Sequence, residues 1–315
     1  MKAFIFPGQG SQTVGMGKEM AGAFTVARDV FAEVDDALGQ KLSTLMFEGP
    51  AEDLQLTANA QPAIMAASMA VLRVLQREGG LNLATAASYV AGHSLGEYSA
   101  LCAAETFALA DTARLLRTRG DAMQAAVPVG VGAMAALIGA EFAQAEEIAA
   151  EAAQGEVCTA ANDNAPGQVV ISGHKTAIDR AIAIAAEKGL KRAMLLPVSA
   201  PFHCALMQPA ADVMQQALSI VQMKAPVVPV LANVTAAPAS KVDEIRNLLV
   251  QQVCGTVRWR ESILKLKELG VTQLVEIGQG TVLAGLAKRI DKELPCISIQ
   301  GPADVEAFLK SAEAA

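Results

Sequence analysis

Short apolar runs alternate with longer amphipathic segments through the two outer parts of the chain. An apolar run that ends in turn residues predicts a buried strand, as over 3–6 before Pro7-Gly8 and over 87–91 before a glycine. A segment whose apolar residues recur with the helical period predicts a helix, as over 17–38 and 109–125. This alternation favours an α/β fold with a largely parallel sheet and helices on both faces.

The same patterns extend over most of the remaining outer segments. Pro62 marks the predicted start of a helix over 63–76, because proline is tolerated in the first helical turn. Beyond residue 197 the apolar runs predict strands over 227–233, 273–277 and 296–300, and the periodic segments predict helices over 205–221, 243–253, 260–269 and 282–290.

A separate pattern occupies residues 128–197. The predicted order is strand, helix, strand, strand, helix, strand, over 132–138, 142–154, 157–161, 168–172, 176–188 and 192–197. This βαββαβ order is the ferredoxin-like arrangement, and its length suits a small independent unit. We therefore predict a large α/β domain over 1–127 and 198–315, with a ferredoxin-like subdomain inserted over 128–197.

The composition predicts a large buried core. Of the 315 residues, 52% are hydrophobic and 18% are charged, which argues against disorder and favours a monomer. The net charge is −7 and no basic stripe carries interleaved aromatic residues, so a nucleic-acid partner is not expected. The first apolar run is too short for a signal peptide and no later run is long enough to span a membrane. We therefore expect a cytoplasmic protein without a membrane partner.

The cysteines and histidines predict neither disulfide bonds nor a metal site. The five cysteines form no Cys-x-x-Cys pair, and the chain has three histidines. We expect free thiols in a reducing compartment and no His/Cys zinc site. The cysteines are Cys102, Cys158, Cys204, Cys254 and Cys296.

The segment Gly92-His93-Ser94-Leu95-Gly96 has the pattern Gly-x-Ser-x-Gly between a predicted strand and a helix-like run. This context predicts a nucleophile elbow, a sharp turn that exposes the serine hydroxyl at the end of a strand. The two glycines allow backbone angles and close approaches that a Cβ would forbid. The alternative is an ordinary strand-to-helix turn in which Ser94 caps the helix.

A serine hydroxyl needs a base, and histidine is the usual one because its pKa lies near neutrality. His93 adjoins Ser94 and is expected to pack or hydrogen-bond locally, and His174 suits a surface position. His203 follows a predicted strand, where α/β sheets place their chemistry, and is the predicted base.

A third group normally orients the imidazole. None of the aspartates between Ser94 and His203 stands out, so a backbone carbonyl or an amide side chain is the other candidate. The lack of a clear acid argues mildly against an ordinary esterase. The aspartates considered are Asp111, Asp121, Asp179 and Asp163, the last in a predicted Asn-Asp-Asn loop.

Arg119 falls on the apolar side of the helix predicted over 109–125, whereas Arg114, Arg117 and Asp121 share the polar side. A buried guanidinium is costly unless it is paired. Two interpretations stay open: a structural ion pair with an internal carboxylate, or a clamp for a ligand carboxylate, which the planar guanidinium fork suits.

The glycine-rich loop Gly8-Gln9-Gly10 can cradle an anion with its backbone amides. The spacing matches neither a P-loop nor a dinucleotide fingerprint, so phosphate binding is the weaker interpretation. With a nucleophilic serine elsewhere, the loop is better interpreted as an oxyanion donor, together with the amide of Leu95.

These motifs together resemble the malonyl-CoA:acyl-carrier-protein transacylase family, the acyltransferases that load the carrier protein in bacterial fatty-acid synthesis. The resemblance covers nearly the whole chain. One stretch departs from it, since the family's usual Glu-x-Gly-Pro-Gly is Glu276-Ile277-Gly278-Gln279-Gly280 here. The matching segments are 6–12, Gln61-Pro62-Ala63, 92–97, Arg119-Gly120 with Met123-Gln124, Asn162 with 166–173, and Phe202-His203 with Leu206-Met207.

The resemblance implies an α/β-hydrolase-like large domain with a ferredoxin-like insert, and catalysis without a cofactor or metal. It implies that Ser94 is acylated by malonyl-CoA and that His203 acts as general base and acid. It also implies that the backbone carbonyl of Gln252 orients His203, and that the amides of Gln9 and Leu95 bind the oxyanion.

The resemblance also assigns the acyl pocket and the partners. Arg119 would bind the free malonyl carboxylate, and Gln61 and Asn162 would line the pocket. Phe202 matches malonyl-selective relatives, including polyketide acyltransferases. The implied partners are malonyl-CoA and the holo acyl carrier protein. Four basic residues have two interpretations: they contact the CoA phosphates or the acidic carrier protein, or they form a solvated face. They are Lys191, Arg192, Lys288 and Arg289.

The predicted function is therefore transfer of a malonyl group from malonyl-CoA to the phosphopantetheine thiol of the carrier by a ping-pong mechanism through malonyl-Ser94. Three alternatives remain. The same chemistry could serve polyketide synthesis or malonate decarboxylation, the elbow could belong to a serine esterase or thioesterase, or the protein could bind ligands without catalysis.

Overall fold

The computed structural model describes residues 1–190 and 192–313, so that Lys191 lies outside the described residues. Two sheets account for the strands found there. The strands are β1 Lys2–Phe6, β2 Tyr89–Gly92, β3 Gly132–Ile138, β4 Cys158–Ala165, β5 Gln168–His174, β6 Arg192–Leu195, β7 Val230–Ala232, β8 Ala237–Ala239, β9 Gln273–Ile277 and β10 Cys296–Ile299.

The larger sheet has the strand order β10-β9-β1-β2-β7-β8. All its pairs are parallel except the β7–β8 hairpin, which confirms the predicted mostly parallel sheet. The residues of β1 alternate between two cores: Phe4 and Phe6 belong to one, and Ala3 and Ile5 to the other. The strand is therefore apolar on both faces, as a sheet covered by helices on both sides requires.

The smaller sheet has the order β4-β5-β3-β6 and is antiparallel throughout. Two helices over 142–153 and 175–187 connect its strands and pack on one of its faces around a third core. This confirms the ferredoxin-like βαββαβ unit. The domain division at 127/128 and 197/198 stays a prediction.

Helices fill the connections on both faces of the large sheet. Together with a short 3₁₀ turn at Ala205–Met207, they complete the described elements. The helices are α1 Lys18–Ala23, α2 Thr25–Leu38, α3 Leu42–Glu48, α4 Ala51–Gln55, α5 Thr57–Glu78, α6 Leu83–Ala86, α7 Gly96–Ala103, α8 Leu109–Ala125, α9 Phe142–Ala153, α10 Lys175–Glu187, α11 Gln208–Ile220, α12 Val242–Cys254, α13 Trp259–Glu268, α14 Val282–Ile290 and α15 Pro302–Glu313.

The prediction that Pro62 starts a helix is wrong, because α5 begins at Thr57 and contains Pro62. The early turn is held by tertiary packing. A Cβ added to Gly120 of α8 would lie 2.6 Å from the Cα of Ala58, so the two helix backbones meet closely there. Packing of this kind overrides the local preference of proline for the first turn.

The Asn-Asp-Asn segment is also not a loop. It lies within β4, which extends to Ala165 rather than ending at 161. The polar side chains obscure the strand pattern because this strand runs along the junction with the large sheet's helices, where Asp163 is buried and paired with Arg260 of α13. The short elements α3, α4, α6 and β8 and the last helix α15 were not predicted.

Three further findings bear on the expectations from composition. Within the described residues no helix is both long enough and apolar enough to cross a membrane. All five cysteines are free thiols, and no cluster of metal-binding side chains occurs in the described part of the chain.

Candidate active site

Ser94 lies on a tight turn between β2 and α7, at the carboxyl end of the central strands. Its backbone φ is 54°, in the left-handed region that side chains rarely adopt. A Cβ on Gly92 would lie 1.9 Å from the carbonyl oxygen of Gly96, and a Cβ on Gly96 would lie 2.3 Å from that of Phe6. Only glycine fits at either position, so the turn has the geometry of a nucleophile elbow.

The alternative in which Ser94 caps the helix is not what the structure contains. Leu95 is the residue that precedes α7, and no side chain caps that helix. The backbone N–H of Ser94 instead donates to Oδ1 of Asn233 over 2.8 Å. The hydroxyl of Ser94 is therefore left for chemistry.

His203 is the partner of that hydroxyl. Its Nε2 lies 2.8 Å from Oγ of Ser94, and its Nδ1 lies 2.9 Å from the backbone oxygen of Gln252. Because a carbonyl oxygen can only accept, Nδ1 carries the proton and Nε2 is free to accept the serine proton. His203 also has a positive φ of 58°, so both members of the pair sit in strained backbone.

Burial, with a smaller effect from the nearby Arg119 cation, lowers the pKa of His203 to about 3. The imidazole is therefore neutral at physiological pH and able to act as a base. None of the four aspartates considered above contacts it. The geometry places a backbone carbonyl in the orienting position, which is the arrangement that the resemblance implied.

The other two histidines have different partners. Nδ1 of His174 accepts a hydrogen bond of 2.9 Å from the backbone N–H of Val157. The ring of His93 packs on Trp259 with 5.6 Å between the centroids, in keeping with the packing that was expected. Its hydrogen bond is not local, because Nε2 lies 2.8 Å from Oδ1 of Asn164 in β4. The sequence could not predict Asn164 as the partner of His93, because β4 comes close to the turn that precedes α7 only in the folded molecule.

Arg119 is buried, with 1% of its surface exposed. Nη1 donates to Oε1 of Gln61 over 2.8 Å, and Nη2 donates to Oε1 of Gln252 over 2.9 Å and to Oγ of Ser94 over 3.2 Å. The guanidinium carbon also lies 5.7 Å from the ring centroid of Tyr98. The predicted position on the apolar side of the helix is confirmed.

In the described residues the ion pairs of the protein do not include Arg119, so of the two interpretations of this residue the structural ion pair is the one that the structure does not contain. Its partners are two neutral amides and a hydroxyl. A buried cation that is hydrogen-bonded without being neutralised keeps its attraction for an incoming anion. The site therefore suits a ligand that carries a carboxylate.

Glu97 is a buried carboxyl group that the sequence reasoning did not assign. Its Oε2 accepts hydrogen bonds from the backbone N–H of Asn233 over 3.0 Å and from Nε2 of Gln252 over 2.8 Å. Burial, the largest effect, raises the pKa of Glu97 to about 7, and these hydrogen bonds and Arg119 partly oppose that rise. A charged residue inside the apolar run after the elbow was the available signal.

Gln252 and Asn233 connect this carboxyl group to the nucleophile. Nε2 of Gln252 also donates to the backbone oxygen of Ser94 over 2.9 Å, and Nδ2 of Asn233 donates to that of Gly92 over 2.7 Å. Asn233 directly follows β7, and its position at the carboxyl end of a parallel strand was the signal that could have found it.

Three more of the predicted site residues line one cleft of about 430 Å³. Gln9, Gln61 and Asn162 line it together with Ser94, Arg119 and His203. Gln61 contacts Arg119, whereas Asn162 lies on the wall contributed by β4. Among the described backbone hydrogen bonds of turns, loops and caps, none is donated by the amide of Gln9 or of Leu95. Their role as oxyanion donors stays a prediction.

The other predicted contacts lie outside the cleft. Arg192, Lys288 and Arg289 are exposed, which agrees with a solvated face, and Arg289 donates to Oε1 of Gln168 over 3.0 Å. Glu276 of the departing Glu-x-Gly-Gln-Gly stretch accepts from the backbone N–H groups of Leu283 and Ala284, each over 3.0 Å, at the start of α14. The departing residue, Gln279, lines a separate pocket and does not line the cleft that contains Ser94.

Comparison with known proteins agrees with this geometry. The acyl transferase domain family matches residues 3–299. The malonyl CoA-acyl carrier protein transacylase of Escherichia coli (strain K12) is 47% identical over 308 residues, which cover 98% of each chain.

Two solved structures are also similar. The acyl-carrier-protein-S-malonyltransferase of Bartonella henselae superposes with a TM-score of 0.97 at 57% identity, covering 99% of each chain. A malonyl-transacylase in complex with a type II polyketide acyl-carrier protein superposes with a TM-score of 0.95 at 44% identity, covering 98% of this chain and 99% of that one. The chain therefore belongs to the malonyl CoA-acyl carrier protein transacylase family of acyl transferases.

Proposed function

We propose that this protein is an acyl-carrier-protein S-malonyltransferase, which moves the malonyl group of malonyl-CoA to the phosphopantetheine thiol of a holo acyl carrier protein in fatty-acid synthesis. The names of its relatives support the reaction, and the observation that carries it is Arg119. A buried guanidinium without a carboxylate partner lies 3.2 Å from the nucleophile, where it can select an acyl group that ends in a carboxylate.

The reaction has two halves of the same form. Oγ of Ser94 attacks the thioester carbonyl while Nε2 of His203 takes the serine proton. The carbon–sulfur bond then breaks, and the leaving CoA thiolate takes the proton from His203. In the second half the carrier thiol gives its proton to His203, its sulfur attacks the malonyl ester, and Ser94 leaves and is reprotonated.

The surrounding residues support each charge that develops. The carbonyl of Gln252 holds the imidazole in the required tautomer and accepts from the imidazolium as it forms. The amides of Gln9 and Leu95 are our proposed donors to the tetrahedral oxyanion. Gln61 fixes Arg119 from one side of the fork, and Asn162 lines the cleft where the acyl chain enters.

The function is tested by following the acyl group by mass. After mixing with malonyl-CoA, we expect a malonyl adduct that maps to Ser94 and is absent from Ser94→Ala. Ser99→Ala, which removes another buried hydroxyl of α7, is the matched control and should form the adduct normally. Holo carrier protein should then remove the adduct and appear malonylated on its own thiol.

Each contrary result would indicate a different function for this protein. No adduct on the wild-type protein would indicate a binding protein, and free malonate released faster than malonyl-carrier would indicate a hydrolase. Parallel reactions with a fatty-acid carrier and a type II polyketide carrier would separate the two pathways, since a similar protein was solved with a carrier of the second kind. A monomeric, cytoplasmic and cofactor-free enzyme stays a prediction.

A further inference from the structure

Two buried ionisable groups flank the nucleophile without touching each other: the guanidinium of Arg119 and the carboxyl group of Glu97, which is negatively charged above its pKa of about 7. Glu97 and Arg119 are each 1% exposed. Between them lies the side-chain amide of Gln252, whose Nε2 is 2.8 Å from Oε2 of Glu97 and whose Oε1 is 2.9 Å from Nη2 of Arg119. The mechanism above uses the backbone carbonyl of Gln252 and leaves this side chain and Glu97 without a role.

The chemistry of the three groups fixes their order. A carboxylate can only accept hydrogen bonds and a guanidinium can only donate them, whereas an amide does both from opposite ends. The amide of Gln252 is thus oriented by its neighbours, with its donor towards Glu97 and its acceptor towards Arg119. A carboxylate in its place would pair directly with Arg119 and neutralise it.

We propose that Glu97 and the side chain of Gln252 are positioning residues that set the strength of the Arg119 clamp for the acyl carboxylate. Glu97 balances the buried cation from a distance, and Gln252 is the neutral spacer that prevents a direct ion pair. The guanidinium therefore stays charged and available, while its attraction for the carboxylate stays moderate enough for the acyl group to leave. This inference rests on the proposed function of Arg119.

Two substitutions test the two parts of the proposal with opposite expected signs. Gln252→Glu places a carboxylate against Nη2, and should lower the ratio of malonyl-CoA to acetyl-CoA in kcat/KM for acylation of Ser94 by about 10- to 100-fold. Glu97→Gln can keep both hydrogen bonds, because its single oxygen can occupy the position of Oε2. It removes only the distant negative charge, and should raise the same ratio by about 3- to 10-fold.

The measurement is single-turnover acylation at pH 8, with both substrates on each variant. Acetyl-CoA serves as the internal reference, because a change that merely displaces Ser94 lowers both rates together. Glu276→Gln is the matched control for neutralising a buried glutamate. Glu276 is fully buried but caps α14 away from the cleft, so this variant should lose stability without a change in the ratio.

The single variant Gln252→Glu places two carboxylates side by side, which could prevent folding, so the double variant Glu97→Gln with Gln252→Glu is measured as well. In the double variant the amide of residue 97 donates to the new carboxylate of residue 252, which still pairs directly with Arg119. The ratio of malonyl-CoA to acetyl-CoA should therefore remain low. If Gln252→Glu lowers kcat/KM equally for both substrates, the role of Gln252 as a neutral spacer is wrong. If Glu97→Gln leaves the ratio unchanged or lowers it, the role of Glu97 as a distant counter-charge is wrong. A wild-type protein that takes no malonyl group would instead defeat the proposed function.

Discussion

Arg119→Met separates the preference of the site for a carboxylate from its ability to acylate Ser94. The substitution keeps most of the side-chain length in a buried position and removes the fork that donates to Gln61, Gln252 and Ser94. The two amides and the backbone that carries His203 remain. The hydrogen bond of 2.8 Å between Oγ of Ser94 and Nε2 of His203 does not involve Arg119.

The expected loss can be worked from the bonds that a malonyl carboxylate would make. Each hydrogen bond to a charged group contributes about 1.5–3 kcal/mol, and a guanidinium can make two with one carboxylate. We take about 3–4 kcal/mol as the combined loss, which is about 10²- to 10³-fold in kcat/KM for malonyl-CoA. Acetyl-CoA has no such carboxylate, so its kcat/KM should change by less than about threefold.

Stability should change much less than activity. Removing a buried cation relieves its desolvation cost, whereas the oxygens of Gln61 and Gln252 each lose a donor at a cost of about 1–3 kcal/mol. Because the two effects oppose each other, we expect the free energy of unfolding to shift by less than about 2 kcal/mol. Urea unfolding of both proteins measures this directly.

Arg117→Met is the matched control on the same helix. Arg117 faces away from the cleft and donates to Asn59 and Gln40 over 2.9 and 2.6 Å, so its loss should leave both substrates unaffected. Acylation rates with malonyl-CoA and acetyl-CoA are compared for the three proteins by quenched-flow mass spectrometry. Equal losses for both substrates in Arg119→Met would refute the carboxylate clamp, and would indicate that Arg119 only positions Ser94.

Two further predictions concern the elbow and its base. Gly96→Ala should lower the free energy of unfolding, measured in urea, by at least about 3 kcal/mol, because its Cβ would lie 2.3 Å from the carbonyl oxygen of Phe6. The control Gly22→Ala, on α1 with open space around it, should change the free energy of unfolding by less than about 1 kcal/mol, and equal effects of the two substitutions would contradict the close approach. His203 has its pKa depressed to about 3, so between its ordinary value of 6.5 and 3 the unfolded chain takes up a proton that the folded protein does not, and stability falls as the pH falls. From pH 7.5 to 5 this amounts to about 2 kcal/mol, which His203→Gln should remove from the measured pH dependence, and a variant that keeps the full dependence would show that another group causes it.

Much of the fold follows from local pattern. Apolar runs closed by Pro-Gly or Gly residues identified β1, β2 and β9, and the middle segment had the βαββαβ order of the smaller sheet. These predictions succeed because burial on one or both faces imposes a short sequence period. They fail where packing at a distance decides, as at Pro62, which the close contact between α5 and α8 retains inside a helix.

The candidate site divides along the same line. The sequence alone predicted the tight turn at Ser94, since the two flanking glycines satisfy a steric need confined to five residues, and with three histidines in the chain it favoured His203 as the candidate base. It also determined that Arg119 points inward, because helical periodicity is local.

Only the tertiary structure decided what surrounds those groups. Arg119 meets Gln61 and Gln252, which lie 58 and 133 positions away, and Glu97 reaches Gln252 across 155. No pattern within one element specifies such contacts, because the residues lie on four different helices, α5, α7, α8 and α12, and meet only when those helices pack together. The packing therefore decided that the buried guanidinium faces amides instead of an acid, and with that whether it could hold a substrate's carboxylate.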